Sequence, residues 1–310
     1  MRRPVPTDLA AVGALLRARD RAHAGVAEVT DDEIAHDWAT PGFELGRDAW
    51  LVEDAGGRPV AYADVLPDAP GTHTVETVAA PGHEALESAL LELVATRAAE
   101  LARQGSAVLH AAIVHGETDR ARRYTAAGYR RVRTFHRMRL DPGAPVHEQP
   151  WPRGVAPTPF DPAIHPAEVH ALLQAAFADH VAVARPGPFD QWRHETLAHP
   201  GFAPELWVLA REHGRLVGAT VAMREPGRGW IKALGVSRPA RGRGIAAAML
   251  AEALRRLRAD GLAVVELGVD AESPTGATRL YERAGMRVVR RTDVYELRVG
   301  APPAPGGTPA

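Results

Sequence analysis

The sequence predicts a mixed α/β (α+β) protein of two similar domains. Each is expected to be a mostly antiparallel sheet flanked by helices, with one βαβ crossover. Three observations predict it. The chain has 310 residues, and at roughly 150 residues per domain that length accommodates two cores. Two stretches repeat: "PGFELGRDAWLVEDAGGRPVAYADV" (Pro41–Val65) is echoed by "PGFAPELWVLAREHGRLVGATVA" (Pro200–Ala222), and "RYTAAGYRRV" (Arg123–Val132) by "LYERAGMRVV" (Leu280–Val289). Gly57 and Gly214, Tyr124 and Tyr281, and Gly128 and Gly285 all stand 157 residues apart, and one constant offset across three landmarks marks an internal duplication. Finally, the apolar pattern of the second half alternates between helical and strand periodicity.

The elements follow in order. In the first half, the "PGFELG" repeat contains a hairpin turning at Gly57. From Asp141 to Pro166, "DPGAPVHEQPWPRGVAPTPFDPAIHP" removes backbone donors and blocks helix, so residues 141–153 are expected to link residues 1–140 to residues 154–300. The first strand of the second half falls within this Pro-rich stretch. Val169, Leu172, Leu173 and Phe177 then make a helical stripe over Pro166–Asp179. Leu206–Arg211 and Val217–Met223 flank a turn at Gly214. Trp230–Val236 is a strand. Ala246, Leu250, Ala253 and Leu257 give one face of a helix over Gly244–Asp260, closed by Gly261. Ala263–Val269 is the next strand, and strand–loop–helix–strand makes a right-handed crossover. Ser273 with Pro274 reads as the cap and first residue of a further helix, ending near Gly285. Met286–Val299 holds one or two more strands. The tail 301–310, "APPAPGGTPA", is expected to be disordered.

Composition excludes several function classes. The net charge of −1 gives no overall field for nucleic acid. The absence of cysteine removes disulfides, thiolate metal sites and a cysteine nucleophile. No apolar run approaches membrane-spanning length, and "MRRPVPTDLA" lacks a signal-like apolar core, so the expectation is a cytoplasmic protein without membrane or metal partners. Monomer and homodimer both remain open.

The stretch with chemistry in it is "RPARGRGIAAAML" (Arg238–Leu250). Arg241-Gly242-Arg243-Gly244-Ile245-Ala246 lies between a strand and a helix start, where backbone N–H groups lack internal partners and the helix dipole is positive. Glycine lets the backbone approach an anion closely, and the arginines add charge-assisted bonds, which suits a pyrophosphate. A basic turn that merely closes the crossover is the alternative.

Arg241, Gly244 and Ala246, after "ALGV", match position by position the Gln/Arg-x-x-Gly-x-Gly/Ala motif of the GNAT (GCN5-related) N-acetyltransferases. "LYERAGM" resembles the same family's fourth-helix signature. The resemblance covers Pro166–Val299 well and the first half weakly, and it extends to the family's tandem two-domain members. It implies acetyl-coenzyme A (acetyl-CoA) as cofactor, with its pyrophosphate on the amides of Arg241–Ala246. The pantetheine arm is then expected in a gap beside Leu234, Gly235 and Val236, with Tyr281 as the general acid that protonates the departing thiolate. It also implies direct attack by a primary amine of a small molecule, through a tetrahedral intermediate. Two positions depart from the family. Where many members carry a catalytic Glu on the strand before the loop, this chain has Trp230. Glu225, Glu266, Asp270 and His180 are the alternative bases, with Glu225 placed first. Where the family often has a pantetheine-binding Asn, this chain has Ser273, which is read either as a weaker partner or as a cap only. Trp230, Lys232, His180 and Asp270 are expected to line the acceptor site. Arg185 and Trp192 fall in the stretch where the family builds its acceptor wall.

At the 157 offset, Glu84, Ala85, Leu86 and Glu87 replace the arginine–glycine loop. Acidic groups there repel an anionic ligand. Residues 1–140 are therefore expected to be a degenerate copy, leaving one active site in the second half. The alternative function, favoured by Trp230, is a catalytically inactive coenzyme A-binding sensor.

Overall fold

The computed structural model describes residues 1–25, 27–102, 106–178, 186–273 and 275–300. It divides into two units, one of Met1–Val132 with Asp293–Ala310 and the other of Arg133–Thr292. The predicted tail 301–310 lies outside the described residues.

In chain order the first unit contains α1 (Leu9–Ala24), α2 (Asp31–Trp38), α3 (Leu45–Asp48), β1 (Ala49–Glu53), β2 (Pro59–Ala69), β3 (Thr72–Ala79), α4 (Leu86–Ala102), β4 (Ala107–Val114) and α5 (Thr118–Ala126). Strand β5 (Arg130–Leu140) begins there and runs into the second unit. The second unit continues with β6 (Val155–Thr158), α6 (Pro166–Ala176), α7 (Phe189–Leu197), β7 (Val208–Glu212), β8 (Arg215–Glu225), β9 (Arg228–Val236), α8 (Ile245–Ala259), β10 (Val265–Asp270) and α9 (Ala277–Arg283). Strand β11 (Arg287–Val299) starts there and finishes in the first unit.

The predicted boundaries at 140 and 154 therefore need correction. Residues 135–140 of β5 pair antiparallel with β10 of the second unit. Tyr295, Leu297 and Val299 of β11 pack on the core of the first unit. Each half thus gives its last strand to the other unit, which no local periodicity reveals. Nor are residues 141–153 a free connector. Trp151, Val146 and Ala144 pack on the second unit's core, and the Asp141 carboxylate takes two bonds from Arg287, at 2.6 and 2.9 Å.

The strand order is β1-β2-β3-β4-β11 in the first unit and β5-β10-β9-β8-β7-β6 in the second. The parallel ladder Thr72↔Val108, His73↔Leu109, Thr74↔His110 recurs as Gly229↔Val265, Trp230↔Glu266, Ile231↔Leu267. The second ladder is the first displaced by the 157 residues read from the sequence, so the duplication reaches strand register. In both units the parallel pairing then stops and the two strands splay apart.

Helix α8 covers one face of the second unit's sheet. Ile245, Met249, Leu250, Ala253, Leu254 and Leu257 are buried against Met138, Ile231, Leu267 and Val269, each large side chain contributing about 1.5–3 kcal/mol. The helix ends in a Schellman turn, with Gly261 N–H donating to Arg258 O (3.1 Å) and Leu262 N–H to Leu257 O (3.0 Å). The other face packs on α6 and α7 through Leu173, Trp192, Trp207 and Val221.

Candidate active site

Two local features of the second unit build the site. The first is a bulge in β9. Ala233 pairs with Val221 and Ile231 with Ala222, so Lys232 is an extra residue on its strand. A bulge bends the strand and adds twist, and the parallel pairing to β10 ends one residue earlier, at Ile231. From Ala233 to Val236 the edge of β9 toward β10 carries no ladder. Lys232 still reaches the α7 side, where its exposed ammonium donates to Glu195 O at 2.9 Å.

The second feature is the loop between β9 and α8. Gly242 and Gly244 have φ of +75° and +86°. These are left-handed values that favour glycine, and they turn the chain tightly into the helix. The first helical bond runs from Ala248 N–H to Gly244 O at 3.1 Å. The amides of residues 242–247 donate to no backbone carbonyl among the described residues. Both arginines are engaged by the protein itself. Arg241 donates through Nε to Val236 O (3.2 Å) and through Nη2 to Ala176 O (2.7 Å), which ties the loop to β9 and to the end of α6. Arg243 forms a bidentate pair with Glu212, at 2.5 and 3.1 Å. The anion-binding groups this loop offers are therefore backbone amides first.

Tyr281 on α9 is buried in the core cluster that holds Val236, Ile245 and Val269, with Leu234 and Ala246 packed at its margin. Its phenol is pushed up to about 12 by burial. A cavity of about 120 Å³ lies between α8, α9 and the preceding segment, lined in part by Val146, His147, Ala247, Leu250 and Leu280.

The remaining predicted residues are distributed as follows. Glu225 sits at the β8–β9 hairpin, opposite Arg228 in register and paired with it at 2.6 Å. That is the far end of β9 from Val236, and the geometry removes Glu225 from the site. Trp230 packs with the α6–α7 cluster, its ring beneath the guanidinium groups of Arg137 (5.3 Å) and Arg228 (6.0 Å). Asp270 ends β10 and is 5% exposed, its Oδ1 accepting from Glu272 N–H at 2.9 Å. Ser273 caps no helix, because α9 begins at Ala277 with Gly276 as its N-cap. Its hydroxyl instead meets that of Thr275 at 2.9 Å, and Pro274 lies outside the described residues. His180 and Arg185 also lie outside them, while Trp192 is buried in the α6–α7 cluster. Among the described residues no cluster of His, Asp and Glu is placed to hold a metal.

Sequence reasoning did not foresee the arginines of β5. Arg139 and Arg137 reach the fully buried Glu266 at 2.6 and 3.5 Å, and Arg228 joins them at 3.4 Å. The alternation of Arg133, Phe135, Arg137 and Arg139 in "RTFHRMR" was the available signal, but it lies in the half to which the strand does not belong.

The same place in the first unit is filled by the protein. The Glu84 carboxylate accepts from Gly82 N–H at 2.9 Å, a bond that holds its pKa down, and the amides that follow are closed by the backbone, Leu86 N–H on His83 O (2.9 Å) and Glu87 N–H on Glu84 O (3.1 Å). Arg120 donates to Thr77 O (2.9 Å) and to Glu76 (2.7 Å), and Tyr124 OH bonds Thr77 Oγ1 at 2.9 Å. Glu87 takes a bond from Arg123 at 2.6 Å.

The family model described as acetyltransferase (GNAT) family matches residues 168–286. A mycothiol acetyltransferase of Clavibacter michiganensis subsp. michiganensis is 32% identical over 281 residues, covering 85% of this chain and 87% of that protein. One from Kineococcus radiotolerans is 32% identical, covering 91% of each. The crystal structure of a GCN5-related N-acetyltransferase from Sphaerobacter thermophilus superposes with a TM-score of 0.79 at 33% identity, covering 96% of this chain and 94% of that one. A tandem GNAT protein from the clavulanic acid biosynthesis pathway shares the fold, with a TM-score of 0.72 at 16% identity over 96% of this chain and 97% of that one. The duplicated fold, the splayed strands and these relatives lead to one conclusion: the chain belongs to the GNAT family and is a GNAT-type N-acetyltransferase.

Proposed function

We propose that the second unit moves an acetyl group from acetyl-CoA, the family's co-substrate, to a primary amine of a small molecule. One observation supports this reading: the open edge of β9 leads directly into a helix start whose amides have no backbone partner among the described residues. Such a terminus binds phosphate through N–H groups and the helix dipole, so the amides of residues 242–247 hold the pyrophosphate. The edge from Leu234 takes the pantetheine amides as an added strand. Arg241 occupies the Val236 carbonyl, which limits that strand on the loop side. The co-substrate supplies an activated acyl group, and this chain's residues orient it and move protons. Tyr281, kept protonated by burial, donates to the leaving sulfur. Trp230 and Lys232 line the acceptor side.

The name borne by the relatives, mycothiol acetyltransferase, supports a small-molecule acceptor. Trp230 is the reason not to extend their acceptor to this chain. The test is isothermal titration with acetyl-CoA, followed by thiol release against a panel of primary amines. Saturable binding with amine-dependent release supports the reading, and absence of binding overturns it.

A further inference from the structure

Direct attack requires a neutral amine, so the proton of the acceptor's ammonium must go to some group of the site. On β10, Val265, Leu267 and Val269 face α8, so Glu266, Gly268 and Asp270 face the other way, toward the side of Trp230. Glu266 is the direct ladder neighbour of Trp230, but it is 0% exposed and held by three arginines. Trp230 lies against Gly268, 3.8 Å from where a Cβ would stand. Asp270 is three residues past the last β9–β10 pair, beyond the point where the ladder between the two strands stops. Its Oδ1 is used by the Glu272 amide. Arg133 Nε stands 3.9 Å from Oδ2, beyond hydrogen-bond range. The other charged groups on this side are Arg137 of β5, Glu266 on the same strand, Glu272 in the following turn and Lys232 on β9. The aromatic neighbour across the ladder is Phe135.

Resting on the acetyl-transfer reading above, we propose that Asp270 is the catalytic residue that takes the proton from the acceptor's ammonium. Oδ2 accepts one proton from R–NH3⁺, leaving a neutral amine. The amine nitrogen bonds to the thioester carbonyl carbon and the carbon–sulfur bond breaks. Tyr281 gives its proton to the departing sulfur and regains one from the nitrogen that has become the amide. Asp270 releases its proton to water, so one proton leaves per turnover. The base has thus moved from the β9 position, now Trp230, to the end of β10.

Asp270→Asn isolates the role, because the amide oxygen still accepts from Glu272 N–H. The expected result is unchanged affinity for acetyl-CoA and a fall in kcat/KM for the amine of at least ~10²-fold at neutral pH. The deficit should shrink as pH rises and the amine deprotonates unaided. Asp270→Ser must show the same pH-dependent loss, and it decides the matter if the Asn variant does not fold. Variants that bind acetyl-CoA and keep the wild-type kcat/KM and acidic limb overturn the proposal alone. A wild type that binds acetyl-CoA but acetylates no amine overturns the acetyl-transfer reading and this proposal with it.

Discussion

Burial pushes the Tyr281 phenol to about 12, above the ordinary tyrosine value of ~10, because the phenolate loses its water in the α8–α9 core. The group is therefore fully protonated across the neutral range. Removing only the hydroxyl should therefore separate chemistry from binding. Tyr281→Phe is expected to lower kcat by about 10²–10⁴-fold while acetyl-CoA affinity, measured by titration calorimetry, stays near wild type. In the wild type, Tyr281 should impose no alkaline decline on kcat as pH passes the ordinary tyrosine value of ~10. Arg241 behaves differently. Its guanidinium bonds the carbonyls of Val236 and Ala176, so it holds the loop's shape. Arg241→Glu sets a carboxylate against two carbonyl oxygens and should abolish acetyl-CoA binding at concentrations that saturate the wild type. The glycine–arginine pattern was legible as an anion loop because glycine spacing is local. The partners of Arg241 were not, because Ala176 lies on a helix 65 residues earlier.

At the scale of elements, the extra residue in β9 falls where its ladder with β10 stops, although the unbulged β3 of the first unit parts from β4 at the same place. Deleting Lys232 would leave Ile231 opposite Ala222 and Ala233 opposite Val221, so every side chain keeps its face. The strand would lose its bend, and the Leu234–Val236 edge would be drawn one residue back from the loop amides it has to work with. The expected outcome is a folded protein of near wild-type thermal stability that no longer binds acetyl-CoA. Thermal unfolding with and without acetyl-CoA reads both properties, since a bound ligand raises the midpoint. Most elements of the second half were legible from period and turn residues, α8 almost to the residue. The bulge was not, because a single inserted residue leaves the alternation intact on both sides. The exchange of β5 and β11 was equally hidden, since "RTFHRMRL" reads as a strand whichever sheet it joins.

At the scale of the whole molecule, one fold has been used twice with opposite outcomes. Offset by 157 residues, Arg19, Glu76 and Arg120 of the first unit replace Ala176, Ala233 and Ala277 of the second. The Arg120 guanidinium sits on the Thr77 carbonyl, at the β3 edge that corresponds to Leu234 and its open strand. Where the second unit leaves loop amides without a backbone partner among the described residues, the first unit ties Leu86 N–H to His83 O and Glu87 N–H to Glu84 O. A cleft filled by its own ion pairs has no room for a co-substrate, so native mass spectrometry should find one acetyl-CoA per chain, and two would refute the assignment. The same ion pairs make this unit sensitive to acid. Burial would raise the Glu76 carboxyl, but Arg19 and Arg120 outweigh it and hold the pKa below the usual value. A depressed folded-state pKa contributes stability above the unfolded value of ~4.3, and that contribution is lost as pH falls through the lower, folded one. Arg120→Ala should remove part of this acid dependence. Because Arg120 is buried among Glu76, Glu87 and Glu117, the variant should also lose about 3–5 kcal/mol at neutral pH. Denaturant unfolding at neutral and acid pH measures both effects. Acetyl transfer by the variant that remains folded should be unchanged, since Arg120 belongs to the unit without the open cleft.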